Sequence, residues 1–360
     1  MPRMQNFAKK NGCLTSNYHF SGGHTTEYGV FAALYGLHGY HLEPVRDQDL
    51  PSYGLKTLKK QGYTLIGSAA TRLSSWNKPK FIFQVFDKYK EFISNTIYED
   101  DVNMIKWIQK QIDQSNQKPL FIFIHPNSTH HNYYFPDNFT IYKPVMEKNY
   151  NYLQNKYSTA TYREKVFNRY KNSVRFLDAT FTNFFENLKD KLGPDTIIVF
   201  TGDHGEEFWE HGLQGHGKSN YVNQRIQVPL IICDLNNKKL PPVNFSSHVD
   251  IFPTIFDLLG LPSSDQFNGY SMLSPTFSNR PYSVITGIAF PFGRNKIGLL
   301  DRNYKFWLKK SSKNLHYLYK IKTSDLDDNI IMDGSDKAAL DNILKAFSTD
   351  AYLFLEEKHP

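Results

Sequence analysis

Residues 195–220 read DTIIVFTGDHGEEFWEHGLQGHGKSN and place acidic and histidine side chains directly after an apolar, β-branched run. The run predicts a buried strand, and Gly202 and Gly205 permit a turn at its end. Asp203 and His204 are adjacent, so they can reach one ion only from such a turn. Carboxylate plus imidazole suits a divalent ion such as Zn²⁺ or Mn²⁺. A solvated, charge-rich loop accounts equally well for the neighbouring polar side chains, namely Glu206, Glu207 and His211.

The chain on either side of this loop alternates helical patterns with apolar strands. Helices are predicted at 53–62, 100–113, 163–193 and 250–260, with Asp100 or Asp101 as the cap of the second. Strands are predicted at 64–68, 119–125, 196–200 and 228–233. This alternation predicts a mainly parallel sheet covered by helices, with ligands bound beyond the carboxyl ends of its strands. From Arg280 onward the pattern predicts a small antiparallel sheet and a terminal helix.

Composition excludes some classes of protein. With 360 residues, 40% hydrophobic and 15% aromatic, the chain can bury a large core and is not disordered. The formal charge of +7 suits a phosphate or sulfate ester or an anionic membrane surface, although a lysine-rich surface explains it as well. There is no block of basic residues typical of nucleic-acid binding and no apolar stretch of membrane-spanning length. Of the two cysteines, Cys233 lies in an apolar strand and is predicted to be a buried free thiol.

A second polar cluster lies in SGGHTTEYGVFAALYG, residues 21–36. A helix is predicted from about Glu27 to Tyr35, so Thr25 and Thr26 come at its N-terminus, where free amides favour an anion. A hydroxyl there can cap the helix, or it can be a nucleophile whose phosphorylated form the amides hold. Because Ser and Thr caps are common, this stretch alone favours the cap.

The third cluster is HPNSTHHNYYFP, residues 125–136, which follows an apolar strand. His125, His130 and His131 therefore come at the sheet edge where ligands are expected. One or two of them could bind substrate oxygens or a leaving group, and at least one is expected to be satisfied by the backbone.

Taken together and in this order, the clusters resemble the sulfatase and alkaline phosphatase superfamily over residues 1–329. The resemblance is to its sulfatase-like branch, which includes lipoteichoic acid synthases and phosphoethanolamine transferases. It rests on TIIVFTGDHGEEF, VNQRIQVPLIICD, HVDIFPTIFDLLGL, RYKNSVRFLDATFTNFFENL and LHYLYKIKTSDLDDN. It implies an alkaline-phosphatase-like α/β domain at 1–279, completed by a C-terminal subdomain at 280–360. It also implies an extracytoplasmic, membrane-anchored protein.

The resemblance assigns roles position by position. Thr26 corresponds to the nucleophile, with Thr25 as the second choice, and Asp203 and His204 correspond to the metal-binding pair that Thr26 completes. His131 corresponds to a histidine that binds the phosphate or sulfate of the substrate, and His216 corresponds to one that contacts the substrate or a metal. Substrate contacts are further expected from Thr25, His130 and Lys218. The implied cofactor is Mn²⁺ or Zn²⁺, with Mg²⁺ or Ca²⁺ also compatible.

Two departures from the family shape the functional hypothesis. The C/S-x-P-x-R signature of sulfatases is absent, so a threonine nucleophile fits phosphate esters, possibly lipid head groups, better than arylsulfates. The family also opens with a strand ending in Asp or Glu that supplies a metal ligand, and nothing before MPRMQNFAKKNG provides it. A truncated chain or a lost ligand would explain this. The alternatives are an inactive member that binds a lipid or a protein, and a sulfuric ester hydrolase.

Overall fold

Two open sheets with helices on both faces carry the candidate site. The computed structural model describes residues 1–75, 80–93, 96–115, 119–151, 159–217, 221–236, 239–287, 296–310, 317–351 and 354–355. The helices are α1 (Pro2–Lys10), α2 (Thr26–Tyr35), α3 (Leu42–Asp47), α4 (Tyr53–Lys60), α5 (Lys80–Phe83), α6 (Ile97–Asp113), α7 (Ala160–Leu192), α8 (Asn223–Ile226), α9 (Ile251–Leu258) and α10 (Lys337–Ala351).

The strands follow the same order along the chain. They are β1 (Leu14–Phe20), β2 (Thr64–Ala69), β3 (Lys88–Glu91), β4 (Leu120–His125), β5 (Ile197–Thr201), β6 (Glu207–Phe208), β7 (Gln214–Gly215), β8 (Leu230–Asp234), β9 (Val243–Ser247), β10 (Ser283–Thr286), β11 (Lys296–Leu300), β12 (Tyr304–Lys310), β13 (Tyr317–Asp325) and β14 (Phe354–Leu355). Each strand and helix predicted from periodicity is present, with ends that shift by a few residues.

The sheet order explains how the site is assembled. One sheet has the order β5-β8-β1-β9 and another the order β3-β2-β4. Strand β2 pairs in parallel with both β3 and β4, and β1 pairs in parallel with β9. Strand β8 runs antiparallel to β1 and β5. The predicted α/β class with a parallel sheet is confirmed, and β8 is the strand that departs from the parallel direction.

Helices cover both faces of the β2 sheet. Successive residues of β2 point to opposite faces, and the apolar side chains on each face pack against helices. Ile66 packs into a buried cluster with residues of α1, α6 and α7. Its neighbour Leu65 packs into another cluster with residues of α2, α4 and α9. Both clusters are rich in Phe, Leu and Ile, as a core closed by amphipathic helices requires.

Strand β4 lies at one edge of its sheet, and strand β5 lies at one edge of the other sheet. Within the described residues, β4 pairs only with β2, and β5 pairs only with β8. The five apolar residues of β4 at 120–124 are each partly exposed, although such a run is typical of a strand buried on both sides. The carboxyl ends of these two edge strands nevertheless meet, and the candidate site lies there.

The start of α6 differs from the prediction. Thr96, not Asp100 or Asp101, is its N-cap, and Glu99 completes a capping box by accepting from the Thr96 backbone N–H. Asp100 and Asp101 are both buried in the first turn of the helix. Asp101 instead holds a loop of the candidate site, as described below.

The two cysteines form a disulfide, so the predicted free thiol at Cys233 is wrong. Cys13 lies just before β1 and Cys233 lies on β8, and the antiparallel pair Leu14–Ile232 places them opposite each other. Their Cα atoms are 4.3 Å apart and the bond links positions separated by 220 residues. The prediction of burial was correct, because Cys233 is fully buried. Sequence spacing could not reveal the pairing.

Reduction of this bond should destabilise the protein. Because the disulfide closes a long loop, we expect its loss to lower the free energy of unfolding by about 2–5 kcal/mol. Urea unfolding with and without a reductant measures the difference. The control is the Cys13→Ala/Cys233→Ala variant, whose midpoint the reductant should leave unchanged. An equal midpoint for the oxidised and reduced natural chain would refute the prediction.

The C-terminal region forms the predicted antiparallel sheet and terminal helix. Strands β10, β11, β12 and β13 pair in sequence, each antiparallel to the last, and α10 follows. Val284, Leu299 and Phe306 form a buried cluster with Ile343 and Phe347 of α10. Among the described residues, none of the helices combines the length and apolar character needed to cross a bilayer.

Candidate active site

Three elements bring polar side chains together at the carboxyl ends of β4 and β5. His125 ends β4, Asp203 and His204 follow β5, and Thr26 starts α2. His125 Nε2 is 3.4 Å from Asp203 Oδ2, and Thr26 Oγ1 is 3.3 Å from His204 Nε2. Asp203 Oδ2 is also 3.5 Å from His204 Nε2. The structure thus brings Asp203 and His204 of the first cluster into contact with Thr26 of the second and His125 of the third.

The two threonines at the start of α2 do not cap the helix. Thr25 occupies the N-cap position with an extended backbone, but its side chain makes no capping hydrogen bond. Its hydroxyl oxygen is buried and has no hydrogen-bond partner among the described residues. Thr26 is the first helical residue and directs its hydroxyl at His204 instead. The cap favoured from the sequence alone is therefore wrong.

Glycines allow close approach between the helix, the loop after β5 and their neighbours. A Cβ at Gly29 would lie 1.9 Å from the carbonyl oxygen of Asp203, so α2 can pack against this loop only with glycine there. A Cβ at Gly205 would lie 2.2 Å from the carbonyl oxygen of Gln224. The glycine of the DHG motif thus serves close backbone packing.

Electrostatics keep Asp203 ionised. Burial alone would raise the pKa of this carboxyl, but His204, His125 and the Thr26 hydroxyl together hold it well below its ordinary value. Burial lowers the pKa of His204 despite the nearby Asp203. His204 Nδ1 is 2.9 Å from the Gly205 carbonyl oxygen, to which it can only donate. In the neutral ring, Nε2 is then left as the acceptor that faces Thr26.

Four histidine rings lie next to one another, starting with His204, which contacts Thr26, and continuing through His216, His130 and His131. The ring centroid of His216 is 4.1 Å from that of His204 and 5.3 Å from that of His130. The rings of His130 and His131 are 4.1 Å apart, and His130 Nδ1 is 3.1 Å from the His131 carbonyl oxygen. Burial and the neighbouring imidazoles lower the pKa of His130 and of His131 to about 4. These two rings are neutral at physiological pH.

Glu206 orients His216. Its Oε2 is 3.1 Å from His216 Nδ1, and burial raises the pKa of the Glu206 carboxyl to about 7. This contact fixes the orientation of the His216 ring. The sequence pattern attributes Glu206 to a solvated loop, because nothing in the sequence around Glu206 indicates that its carboxylate contacts His216.

Glu207 and His211 have other roles. Glu207 is fully buried and its Oε2 lies 2.5 Å from Nη2 of the equally buried Arg225. Its Oε1 accepts from the backbone N–H groups of His211 and Leu213. Glu207 therefore closes the turn between β6 and β7, and the solvated-loop interpretation is wrong for it. The side chain of His211 is exposed.

Two further residues support the site and were not identified from the sequence. His248 is fully buried, with Nε2 3.0 Å from the Gly202 carbonyl oxygen and Nδ1 3.1 Å from that of Gly29. It lies between α2 and the loop after β5. Asp101 is fully buried and accepts from the backbone N–H groups of Asn127 at 2.8 Å and Ser128 at 3.0 Å. It thereby fixes the loop that follows His125 and carries His130 and His131.

Asp101→Asn should loosen that loop. Each of the two Asp101 carboxylate oxygens accepts from one backbone N–H of the loop. The asparagine side chain has only one acceptor oxygen, so its NH₂ group would face the other backbone N–H. We expect kcat/KM to fall at least about tenfold, as for residues that orient ligating groups. Asp113→Asn, on the exposed end of the same helix, is the control and should change little. Equal activity of the two variants would contradict the anchoring role.

The same variant has a signature in the pH dependence of stability. Burial raises the pKa of Asp101 from 3.8 to about 7, so the folded state holds a proton that the unfolded chain has lost. Asp101 therefore makes stability fall as pH rises from about 4 to 7, by about 4 kcal/mol. Thermal unfolding across this range should show a shallower fall for Asp101→Asn than for the natural chain.

The donor set at Thr26, Asp203 and His204 fits a divalent cation. The Thr26 hydroxyl and the ionised Asp203 carboxylate lie 3.3 and 3.5 Å from the accepting Nε2 atom of His204. Within the described part of the chain, no three His, Cys, Asp or Glu side chains are grouped to hold a metal. In this set the threonine hydroxyl would supply the third donor. Lys218, expected to contact substrate, lies outside the described residues.

A comparison with protein families gives a match over most of the chain. The family model described as Sulfatase matches residues 1–261. A similar curated protein is the phosphatidylethanolamine transferase Mcr-2 of Escherichia coli, 24% identical over 269 residues, which is 70% of this chain and 48% of that protein. The chain spans less than half the length of this relative and of three further curated relatives.

Solved structures share the fold at low identity. The lipoteichoic acid synthase LtaP from Listeria monocytogenes aligns with a TM-score of 0.65 at 16% identity, covering 98% of this chain and 85% of that one. The C-terminal periplasmic domain of EcEptC from Escherichia coli, solved in complex with zinc, aligns with a TM-score of 0.64 at 18% identity. That alignment covers 84% of this chain and 85% of the other.

Proposed function

Because this chain belongs to the sulfatase family, we propose that it is a metal-dependent hydrolase or transferase of phosphate esters with Thr26 as its nucleophile. The observation that carries the proposal is the 3.3 Å contact between Thr26 Oγ1 and His204 Nε2, beside the ionised Asp203. A hydroxyl held in this way at a helix N-terminus, and not used as a cap, is in position to attack an ester.

Thr26, Asp203 and His204 would hold the divalent ion. Its chemistry there would be to favour the threonine alkoxide and to withdraw charge from the phosphoryl group. Zn²⁺ and Mn²⁺ are the best candidates for a mixed nitrogen and oxygen set.

The chain's own residues account for the remaining steps. Thr26 loses its hydroxyl proton to solvent, and its Oγ1 forms a bond to phosphorus while the bond to the leaving oxygen breaks. The leaving oxygen takes up a proton, so the products are a phosphothreonine and a free alcohol. The free amides at the start of α2 are placed to stabilise its negative charge. His131 and His216 donate hydrogen bonds to non-bridging oxygens or to the leaving group, and Thr25 and His130 bind the substrate alongside them. For hydrolysis, water then cleaves the phosphothreonine; for transfer, an acceptor hydroxyl does so.

Phosphate rather than sulfate is the proposed ester. Threonine stands where sulfatases have the Cys or Ser of C/S-x-P-x-R, and neither the Pro nor the Arg of that signature follows it. The similarity to a phosphatidylethanolamine transferase supports a lipid head group as the substrate. The disulfide supports an extracytoplasmic location, since such bonds persist in oxidising compartments.

The test compares an aryl phosphate with an aryl sulfate, each with added Zn²⁺ or Mn²⁺. Turnover of the phosphate ester with a phosphorylated Thr26 detected by mass spectrometry would support the proposal. Faster turnover of the sulfate would establish the sulfuric ester alternative. No turnover of either ester, from a chain shown to bind the metal, would favour a non-catalytic member that binds a lipid or a protein.

A further inference from the structure

We propose that an exposed patch on α7 and the loop packed against it docks this chain on an anionic lipid membrane. The patch consists of Ile141, Tyr142, Phe167 and Lys171, hereafter the α7 patch. Its role in presenting lipid head groups to the active site rests on the proposed function, whereas the binding itself does not.

The α7 patch is apolar and exposed. Ile141, Tyr142 and Phe167 are 53%, 39% and 40% exposed, far above the exposure of aromatic and aliphatic side chains in the core. The Lys171 Nζ atom lies 4.4 Å from the Tyr142 ring centroid and 5.1 Å from that of Phe167. One ammonium group therefore joins both rings into a single surface, through cation–π contacts.

The loop half of the α7 patch is fixed to the helix. Asn172, which is fully buried, accepts at Oδ1 from the backbone N–H groups of Ile141 and Tyr142, both at 3.0 Å. Its Nδ2 donates to the Tyr142 carbonyl oxygen, also at 3.0 Å. The exposed side chains are consequently presented by a preformed backbone, which lowers the entropic cost of binding a surface.

Charge around the α7 patch favours an anionic partner. Five basic and three acidic side chains that reach the surface lie within 137–148 and 160–171: Lys143, Lys148, Arg163, Lys165 and Lys171 against Asp137, Glu147 and Glu164. Asp137 pairs with Lys148 at 3.1 Å, which leaves four basic groups against two acidic ones. Tyr and Phe rings suit the boundary between head groups and acyl chains, and lysines extend to lipid phosphates. A membrane of anionic lipid matches both properties of this surface.

The α7 patch lies next to the active site. The Phe167 ring centroid is 5.1 Å from that of Phe208 on β6. Phe208 follows by two residues Glu206, whose carboxylate contacts His216. A lipid bound at the α7 patch would therefore have its head group close to the histidines of the site. This placement suits a substrate that never leaves the membrane.

The experiment is co-sedimentation of the full chain with vesicles of phosphatidylcholine alone and with one quarter phosphatidylglycerol. We expect binding to the anionic vesicles only, decreasing in 0.5 M salt by at least about tenfold because exposed charges are screened. Lys171→Glu and Ile141→Ser should each weaken binding several-fold. Phe167→Ser should weaken it further, provided its unfolding temperature matches that of the natural chain.

Matched controls lie on distant surfaces. Lys56→Glu on α4 repeats the charge change, and Tyr270→Ser, at a position 43% exposed, repeats the loss of an exposed ring. Both should bind vesicles as the natural chain does. Absence of binding to anionic vesicles, or equal effects of patch and control variants, would overturn the proposal. Turnover of a soluble aryl phosphate by the natural chain is measured separately, so a failure of the proposed function is recognised without vesicles.

Discussion

Thr26→Ala is expected to lower the turnover of a phosphate ester by at least about a thousandfold, because it removes the proposed nucleophile. The hydroxyl has no structural role that would account for such a loss. It does not cap α2, and its contact is with His204 Nε2 at 3.3 Å. The measurement is kcat with an aryl phosphate at saturating Zn²⁺ or Mn²⁺. The phosphothreonine should disappear from the mass spectrum of the variant.

Thr25→Ala is the matched control for this prediction. Thr25 is the neighbouring residue, and its buried hydroxyl makes no hydrogen bond within the part of the chain that the structure describes. Its loss should reduce substrate binding and leave Thr26 able to be phosphorylated. If Thr25→Ala abolishes turnover while Thr26→Ala does not, the nucleophile is Thr25 and the assignment is wrong.

Asp203→Asn is expected to weaken metal binding at least about a hundredfold and to abolish turnover with it. The carboxylate is the only anionic member of the proposed ligand set, and its neighbours hold its pKa well below the ordinary range. An amide of the same size removes that charge and keeps the packing. Metal content after dialysis, measured by atomic spectrometry, tests binding independently of activity.

The control for Asp203→Asn is Asp195→Asn, just before the same strand. Asp195 is exposed, so its replacement should leave metal content and stability unchanged. Unaltered metal content in Asp203→Asn would show that the ion is held elsewhere.

The strands and helices could be predicted because their signals are local. The apolar run at 197–201 and the alternation around it require only neighbouring residues to be recognised. The DHG motif and its glycines likewise stand together in the sequence. The sequence links Thr26 with Asp203 and His204 only through resemblance to a family. In the structure, Thr26 Oγ1 and Asp203 Oδ2 both lie within 3.5 Å of His204 Nε2, although about 180 positions separate Thr26 from the other two residues.

The features that the sequence did not reveal are long-range pairings. Cys13 and Cys233 meet because β1 and β8 are antiparallel, a direction that an alternating pattern does not predict. Glu207 looked like part of a solvated loop, since its partner Arg225 lies beyond the next turn. The sequence indicates Asp100 or Asp101 as a helix cap. It does not reveal the actual partners of Asp101, which are backbone N–H groups of a different loop.

The disulfide also changes what a proteolytic cut can do. It joins residues separated by 220 positions, and α2, α6, α7 and the active-site loops all lie between them. A single cut anywhere between Cys13 and Cys233 therefore leaves two fragments that are still covalently linked. Electrophoresis of such a nicked sample would show one band without reductant and two bands after reduction.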